Sequence, residues 1–171
     1  MPKKKSATKI GKKKKGAAQP YQVAALPVRR GKSGELQILI LTSRETRRWI
    51  IPKGWPKKGI EDCIAAALEA REEAGLLGVV QKRPFGSYRT FKRLDSTFQF
   101  VVVNVFRFDV IDQLEVWPEK SQRVTRWVNM EQAVALIDEP GLLALLATLQ
   151  KASRKRAAAA PGMAPETAPS T

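Results

Sequence analysis

Residues 54–76 read GWPKKGIEDCIAAALEAREEAGL, a basic, glycine-bounded loop leading into a segment with Glu69, Glu72 and Glu73 at positions i, i+3 and i+4. At 3.6 residues per turn these three side chains share one patch of helix surface. Carboxylates packed that closely repel one another unless a cation sits among them, and hard oxygen donors favour magnesium, manganese or calcium over zinc. A bound divalent ion is the simplest account of the cluster. A glutamate-rich face is also found on helices that are merely solvated, so the flanking residues have to decide.

The flanks resemble the Nudix hydrolase signature: a glycine, five residues, a glutamate, seven residues, Arg-Glu, an aliphatic, any residue, Glu-Glu, any residue, a glycine and an aliphatic. With Gly54 on the first glycine, Glu69, Glu72, Glu73, Gly75 and Leu76 fall on their motif positions without a gap. Two positions depart. Ile60 stands in place of the first glutamate, with Glu61 one residue late, and Leu68 stands in place of the arginine. In the family that arginine braces the first helix glutamate, so the resemblance implies that Glu69 is oriented here without it.

Beyond this box, SRETRRWIIPKGW, FGSYRTFKR, a long apolar run, WPEKSQR and TRWV look most like the diphosphoinositol polyphosphate phosphohydrolase branch and its bacterial relatives, over residues 21–150. The resemblance implies an α/β/α sandwich around a mixed sheet. It also implies a magnesium (possibly manganese) cofactor held by Glu69, Glu72 and Glu73, one of which accepts a proton from water. Arg44 and Arg48 then lie along the substrate cleft, and Arg89, Lys92 and Arg93 fall where the resembling enzymes gather ligands for highly charged substrates. Lys53, which replaces a glycine of many Nudix sequences, and Lys57 and Lys58 stand close enough to the metal helix to neutralise phosphates. Each of these cations is also readable as plain solvated charge or, on a hairpin tip, as a block to edge pairing.

A chain of 171 residues with 43% apolar content suits one domain with tails. Its net charge of +15 is unevenly placed. Residues 1–20 hold eight lysines and no acid; residues 151–171 hold Lys151, Arg154, Lys155 and Arg156 against Glu166, which leaves 19 basic and 15 acidic residues between. The expected division is a disordered basic tail at 1–20, the Nudix-like domain at 21–150 and a disordered Ala/Pro-rich tail at 151–171. The first tail is suited to weak electrostatic contact with RNA or another polyanion.

The chain has no histidine, which excludes a histidine base, a serine–histidine relay and histidine-ligated zinc. The lone Cys63 forms no internal disulfide. No apolar run reaches the roughly 20 residues that span a bilayer, and the first residues lack the apolar core of a secretory signal. A cytoplasmic protein is expected.

In chain order, YQVAALPV and LQILILTS around RRGKSGE read as a hairpin, with residues 38–41 covered on both faces. The helix after Gly59 should open near Asp62, bury Ile64, Leu68 and its alanines, and stop at Gly75. Strands follow with a turn at 84–86, then FQFVVVNVFRFDV as a central strand with Asn104 its lone buried polar residue. Asn129 and Gln132 read as a capping box, Pro140 as a first-turn residue, and Leu142, Leu145, Leu146 and Leu149 as a core stripe.

The expected activity is metal-dependent hydrolysis of a diphosphate linkage in a phosphate-rich metabolite resembling a diphosphoinositol polyphosphate. One alternative is action on dinucleoside polyphosphates or other nucleoside diphosphate compounds. Another is a basic RNA-associated protein on a weakened Nudix scaffold. Oligomeric state is open.

Overall fold

The computed structural model describes residues 19–94 and 97–159, apart from the side chains at 93–97 and 156–159. Its centre is a pair of parallel strands, β1 (Tyr21–Arg30) and β7 (Thr97–Gln113), in register from Tyr21↔Val102 to Val28↔Asp109. All other pairings are antiparallel. The second half of β1 meets β2 (Leu36–Thr42), whose other partners are β3 (Trp49–Ile50) and β8 (Thr125–Val128). The first half of β1 meets β4 (Lys53–Gly54), while β7 also takes β5 (Leu76–Val80) and the hairpin partner β6 (Gly86–Leu94).

Helices cover both faces of this mixed sheet, giving the expected α/β/α sandwich. α1 (Asp62–Ala74) buries Cys63, Ala65, Ala66, Ala70 and Ala74 against Val23, Ala25, Leu39, Leu41, Phe106 and Phe108. α2 (Met130–Leu136) and α3 (Pro140–Ala159) cover Ala24, Leu26, Ile38, Ile40, Val103 and Val105 with Ala133, Leu142, Leu146 and Leu149. Successive residues of β1 and β2 therefore feed opposite cores, as the continuous apolar runs imply. No helix among the described residues is long and apolar enough to cross a membrane.

The small residues of α1 let its backbone lie close to the sheet, and that corrects the expected buried face. Ile64 is 46% exposed, and Leu68 is only partly buried and outside both clusters. Asp62 is the first helical residue, an acid of the first turn; Glu61 holds the cap position without a side-chain capping bond, and Asp62 accepts from Tyr21 Oη at 3.3 Å. Gly75 ends the helix at φ 69°, in the left-handed region, and a Cβ there would stand 2.6 Å from the Trp117 ring. Asn104 is half-buried, not buried.

The reciprocal Asn129–Gln132 capping box is present, with bonds of 2.9 and 3.1 Å. The expected tail boundary at 150 falls inside α3, because Leu149 anchors a helix whose good formers continue to Ala159. The remainder of that tail, and residues 1–18 of the other, lie outside the described residues.

Leu146→Ala should therefore cost roughly 2–5 kcal/mol, and Leu68→Ala about 1 kcal/mol or less. Urea unfolding midpoints with unchanged slopes would measure both; equal losses would return Leu68 to the core.

Candidate functional site

Gly54 pairs with Val23 at the edge of β1, which brings the loop after β4 under the outer face of α1. The Glu69 carboxylate occupies the space a side chain at position 54 would take: a Cβ there would lie 2.3 Å from its carboxyl carbon. Lys57, from the same loop, places its ammonium 3.4 Å from Glu69 Oε1 and 3.2 Å from Glu72 Oε1. Two carboxylates thus converge on one cation. Burial pushes the Glu69 carboxyl up, and the Lys57 charge works against that shift.

Glu73 turns elsewhere. It is 5% exposed and ion-paired with Arg123 from the loop before β8, while its Oε2 accepts the Lys53 backbone N–H at 3.1 Å. Arg123 also donates to Glu119 Oε2 at 2.6 Å and to the Thr42 carbonyl at 3.0 Å. Burial pushes the Glu73 carboxyl up to about 7, against the pull of Arg123 and the Lys53 amide toward the carboxylate. Glu69 and Glu72 share a cation, whereas Glu73, expected with them round one ion, is paired with Arg123 in this structure. Among the described residues no three metal-binding side chains form a group, because Arg123 draws the third carboxylate into the protein.

Donor chemistry nonetheless fits a hard divalent ion between Glu69 and Glu72, where an ammonium stands with a third of its side chain exposed on a loop. A divalent ion that displaces Lys57 meets two carboxylates already aimed at it.

Other cations stand near Glu73. Burial, with Lys92 adding like charge, lowers the Lys53 ammonium to about 8, and Arg123 and Arg48 push it the same way. Lys53 donates to Gln22 Oε1 at 3.1 Å, and Lys92 stands 4.9 Å from the Trp55 ring centroid. Lys53, Lys92 and Arg48 therefore act on one region beside Glu73. Arg44 reaches Glu119 at 3.5 Å, which ties it to the Arg123 network. Arg89 is not part of this grouping: it is exposed and lies opposite Val102 on the α1 side of the sheet. Arg93 belongs to β6, but its side chain lies outside the described residues.

Arg123, Glu119, Gln22 and Thr42 were not singled out as site residues from the sequence. The local signals were the spacing of four between Glu119 and Arg123 and the WPEKSQR stretch that holds both. A surface cavity lined by Arg30, Glu35, Asn129, Met130 and Arg154 shares no residue with this site; the chemistry lies in the shallow carboxylate face instead.

The sequence profile of the NUDIX domain matches residues 19–149. Among curated proteins, the chain is 29% identical over 108 residues to Nudix hydrolase 13, mitochondrial, of Arabidopsis thaliana, covering 60% of this chain and 54% of that protein. It is 32% identical over 103 residues to Nudix hydrolase 17, mitochondrial, of the same plant, covering 59% and 54%. The chain thus spans about half the length of these relatives. Among solved structures, the Ap4A hydrolase of C. elegans superposes with a TM-score of 0.59 at 17% identity, over 79% of this chain and 98% of that one. A NUDIX hydrolase from Nitrosomonas europaea gives 0.61 at 16%, over 79% and 90%. These likenesses show the fold.

Gly54→Ala tests the cradle under Glu69. The new methyl meets the flexible end of a side chain, so stability should change by about 1 kcal/mol or less. The displaced carboxylate should weaken Mn2+ binding about tenfold or more, on the scale of lost positioning around a metal. Mn2+ titration followed by electron spin resonance, with parallel melts, would read both. Unchanged Mn2+ affinity would remove Gly54 from the site.

Proposed function

The chain belongs to the Nudix family, and we propose that it is a divalent-metal-dependent hydrolase of phosphoanhydride bonds in a polyphosphorylated small molecule. The observation that carries this reading is the convergence of Glu69 and Glu72 on one cation, with the half-buried cation Lys53 and the charges of Lys92 and Arg48 near Glu73 of the same helix. Magnesium or manganese matches the carboxylate donors. When bound, such an ion supplies a Lewis-acid centre that neutralises phosphate oxygens and lowers the pKa of water.

The protein's own part is positioning and charge. Lys57 holds Glu69 and Glu72 together before metal arrives and then becomes free to meet a phosphate. Lys53, Lys92 and Arg48 neutralise the remaining phosphate oxygens, which is the main requirement of phosphoryl transfer. With no histidine in the chain, a carboxylate is an available base for the proton of the attacking water. Arg123 keeps Glu73 in place at the end of that helix.

Several cations around one site favour a substrate with several phosphates, such as a diphosphoinositol polyphosphate. A dinucleoside polyphosphate is the second reading, favoured by Trp55, a partly exposed ring beside Lys92 that offers a face to a base. Metal-dependent phosphate release across a panel of both classes separates them. Higher kcat/KM on the inositol compounds supports the first reading, and higher kcat/KM on dinucleosides supports the second; release from neither would overturn the hydrolase assignment.

Glu72→Gln should lower kcat by roughly 100-fold or more with little change in melting temperature, because an exposed helix carboxylate is lost rather than a core contact. Wild-type turnover in this variant would remove Glu72 from the site. Lys53 adds a pH signature. Its free-enzyme value near 8 means that its charge is present below that pH and lost above it, so kcat/KM should fall as pH rises through about 8. Lys53→Arg, which stays charged, should abolish the fall. A fall that persists in the arginine variant would belong to another group.

A further inference from the structure

A polar side chain is buried near the start of β1. Val23, Ala24, Ala25 and Leu26 are fully buried, and Gln22 beside them is 2% exposed. Burying an amide is unfavourable unless its polar atoms find hydrogen-bond partners. Gln22 finds a cation: its Oε1 accepts from Lys53 Nζ at 3.1 Å. An ammonium only donates, so this contact fixes which end of the amide faces Lys53.

The strand register explains the meeting. Lys53 lies opposite Ala24 and Gly54 opposite Val23, so the two residues of β4 serve opposite faces of the sheet. Gly54 leaves room for Glu69 on the α1 side. Lys53 shares the other face with Ala24 and Gln22, while its backbone N–H holds Glu73. Lys92 follows the alternation of the buried Tyr88 onto that second face, and its ammonium stands over the Trp55 ring. No carboxylate among the described residues forms an ion pair with Lys53, and Glu73, whose charge acts on it, is paired with Arg123. An ammonium is thus held by an uncharged acceptor and left with its charge to offer.

We propose that Gln22 is a positioning residue for the hydrolysis, holding the Lys53 ammonium in place for a substrate phosphate without neutralising it. This rests on the reading of Lys53 as a phosphate ligand. A glutamate at position 22 would hold the lysine but cancel the charge that a phosphate needs. An apolar side chain of the same length would leave the charge intact and the ammonium unheld. Glutamine supplies the acceptor and no charge.

The test compares Gln22→Met, Gln22→Glu, Lys53→Met and the pair Gln22→Met with Lys53→Met in the full chain. Calorimetry measures the binding of inorganic tripolyphosphate without metal, and steady-state kinetics measure kcat and KM for metal-dependent diphosphate hydrolysis. Gln22→Met should weaken tripolyphosphate binding roughly threefold to tenfold, the scale of one hydrogen bond, and raise KM similarly with kcat little changed. In the Lys53→Met background the same substitution should add no further loss, because nothing remains to be positioned. Gln22→Glu keeps the acceptor, so it should fold where Gln22→Met might not suffice. Its new carboxylate favours the charged ammonium, together with Glu73 and against Lys92, Arg48 and Arg123, so the fall of kcat/KM should move to higher pH. Wild-type affinity and KM in Gln22→Met, an equal loss in the Lys53→Met background, or an unmoved pH profile in Gln22→Glu would each overturn the positioning role. A wild-type chain that binds tripolyphosphate but hydrolyses no diphosphate would overturn the hydrolase reading instead, and the binding cycle would still decide whether Gln22 acts through Lys53.

Discussion

A carboxylate and a guanidinium buried together, Glu73 and Arg123, hold the last turn of α1 to the loop before β8. Removing both charges from water is costly, and the attraction offsets that cost only when the remaining hydrogen-bonding positions are filled. They are filled here. Glu73 accepts from the guanidinium and from the Lys53 amide, and Arg123 also reaches Glu119 and the Thr42 carbonyl. One network therefore joins α1, the end of β2, β4 and the loop. The backbone bond from Glu119 to the Glu72 carbonyl, 3.1 Å, fastens the same turn again.

The functional face depends on that fastening. With the third glutamate drawn inward, Glu69 and Glu72 are left facing out as a pair, and the i, i+3 spacing aims both at one point. Glu69 lacks the arginine that braces it in the family, because Leu68 occupies that position. Two local features take over: the missing side chain at Gly54, which leaves room for the carboxylate, and Lys57, which holds it. The charge of α1 is thus met from both sides. Lys57 offsets one of the two charges of the outward pair, and Arg123 pairs with the inward member.

Much of this was legible in the sequence. Continuous apolar runs in β1, β2 and β7 marked strands buried on both faces, and the leucine spacing in α3 marked its core side. Gly75 was readable as a stop because a left-handed residue favours glycine. The buried side of α1 was read correctly at its alanines and wrongly at Ile64 and Leu68, since periodicity favours large apolar residues whereas close helix–sheet approach selects small ones. The end of α3 was misread because alanine and basic residues serve both a tail and a helix. At the site, spacing along the helix fixed which glutamates share a side but not which partner each meets. That choice rests on Arg123, 50 residues away in sequence, and no local pattern encodes such a contact.

The central claim is that Glu73 and Arg123 act as one buried unit on which the geometry of α1 rests. A double-mutant cycle on unfolding free energy, using Glu73→Gln, Arg123→Met and the pair, measures it directly. The expected result is a coupling of roughly 1.5–3 kcal/mol, with the double variant more stable than the sum of the single losses requires. A coupling below about 0.5 kcal/mol, the range of independent sites, would contradict the account.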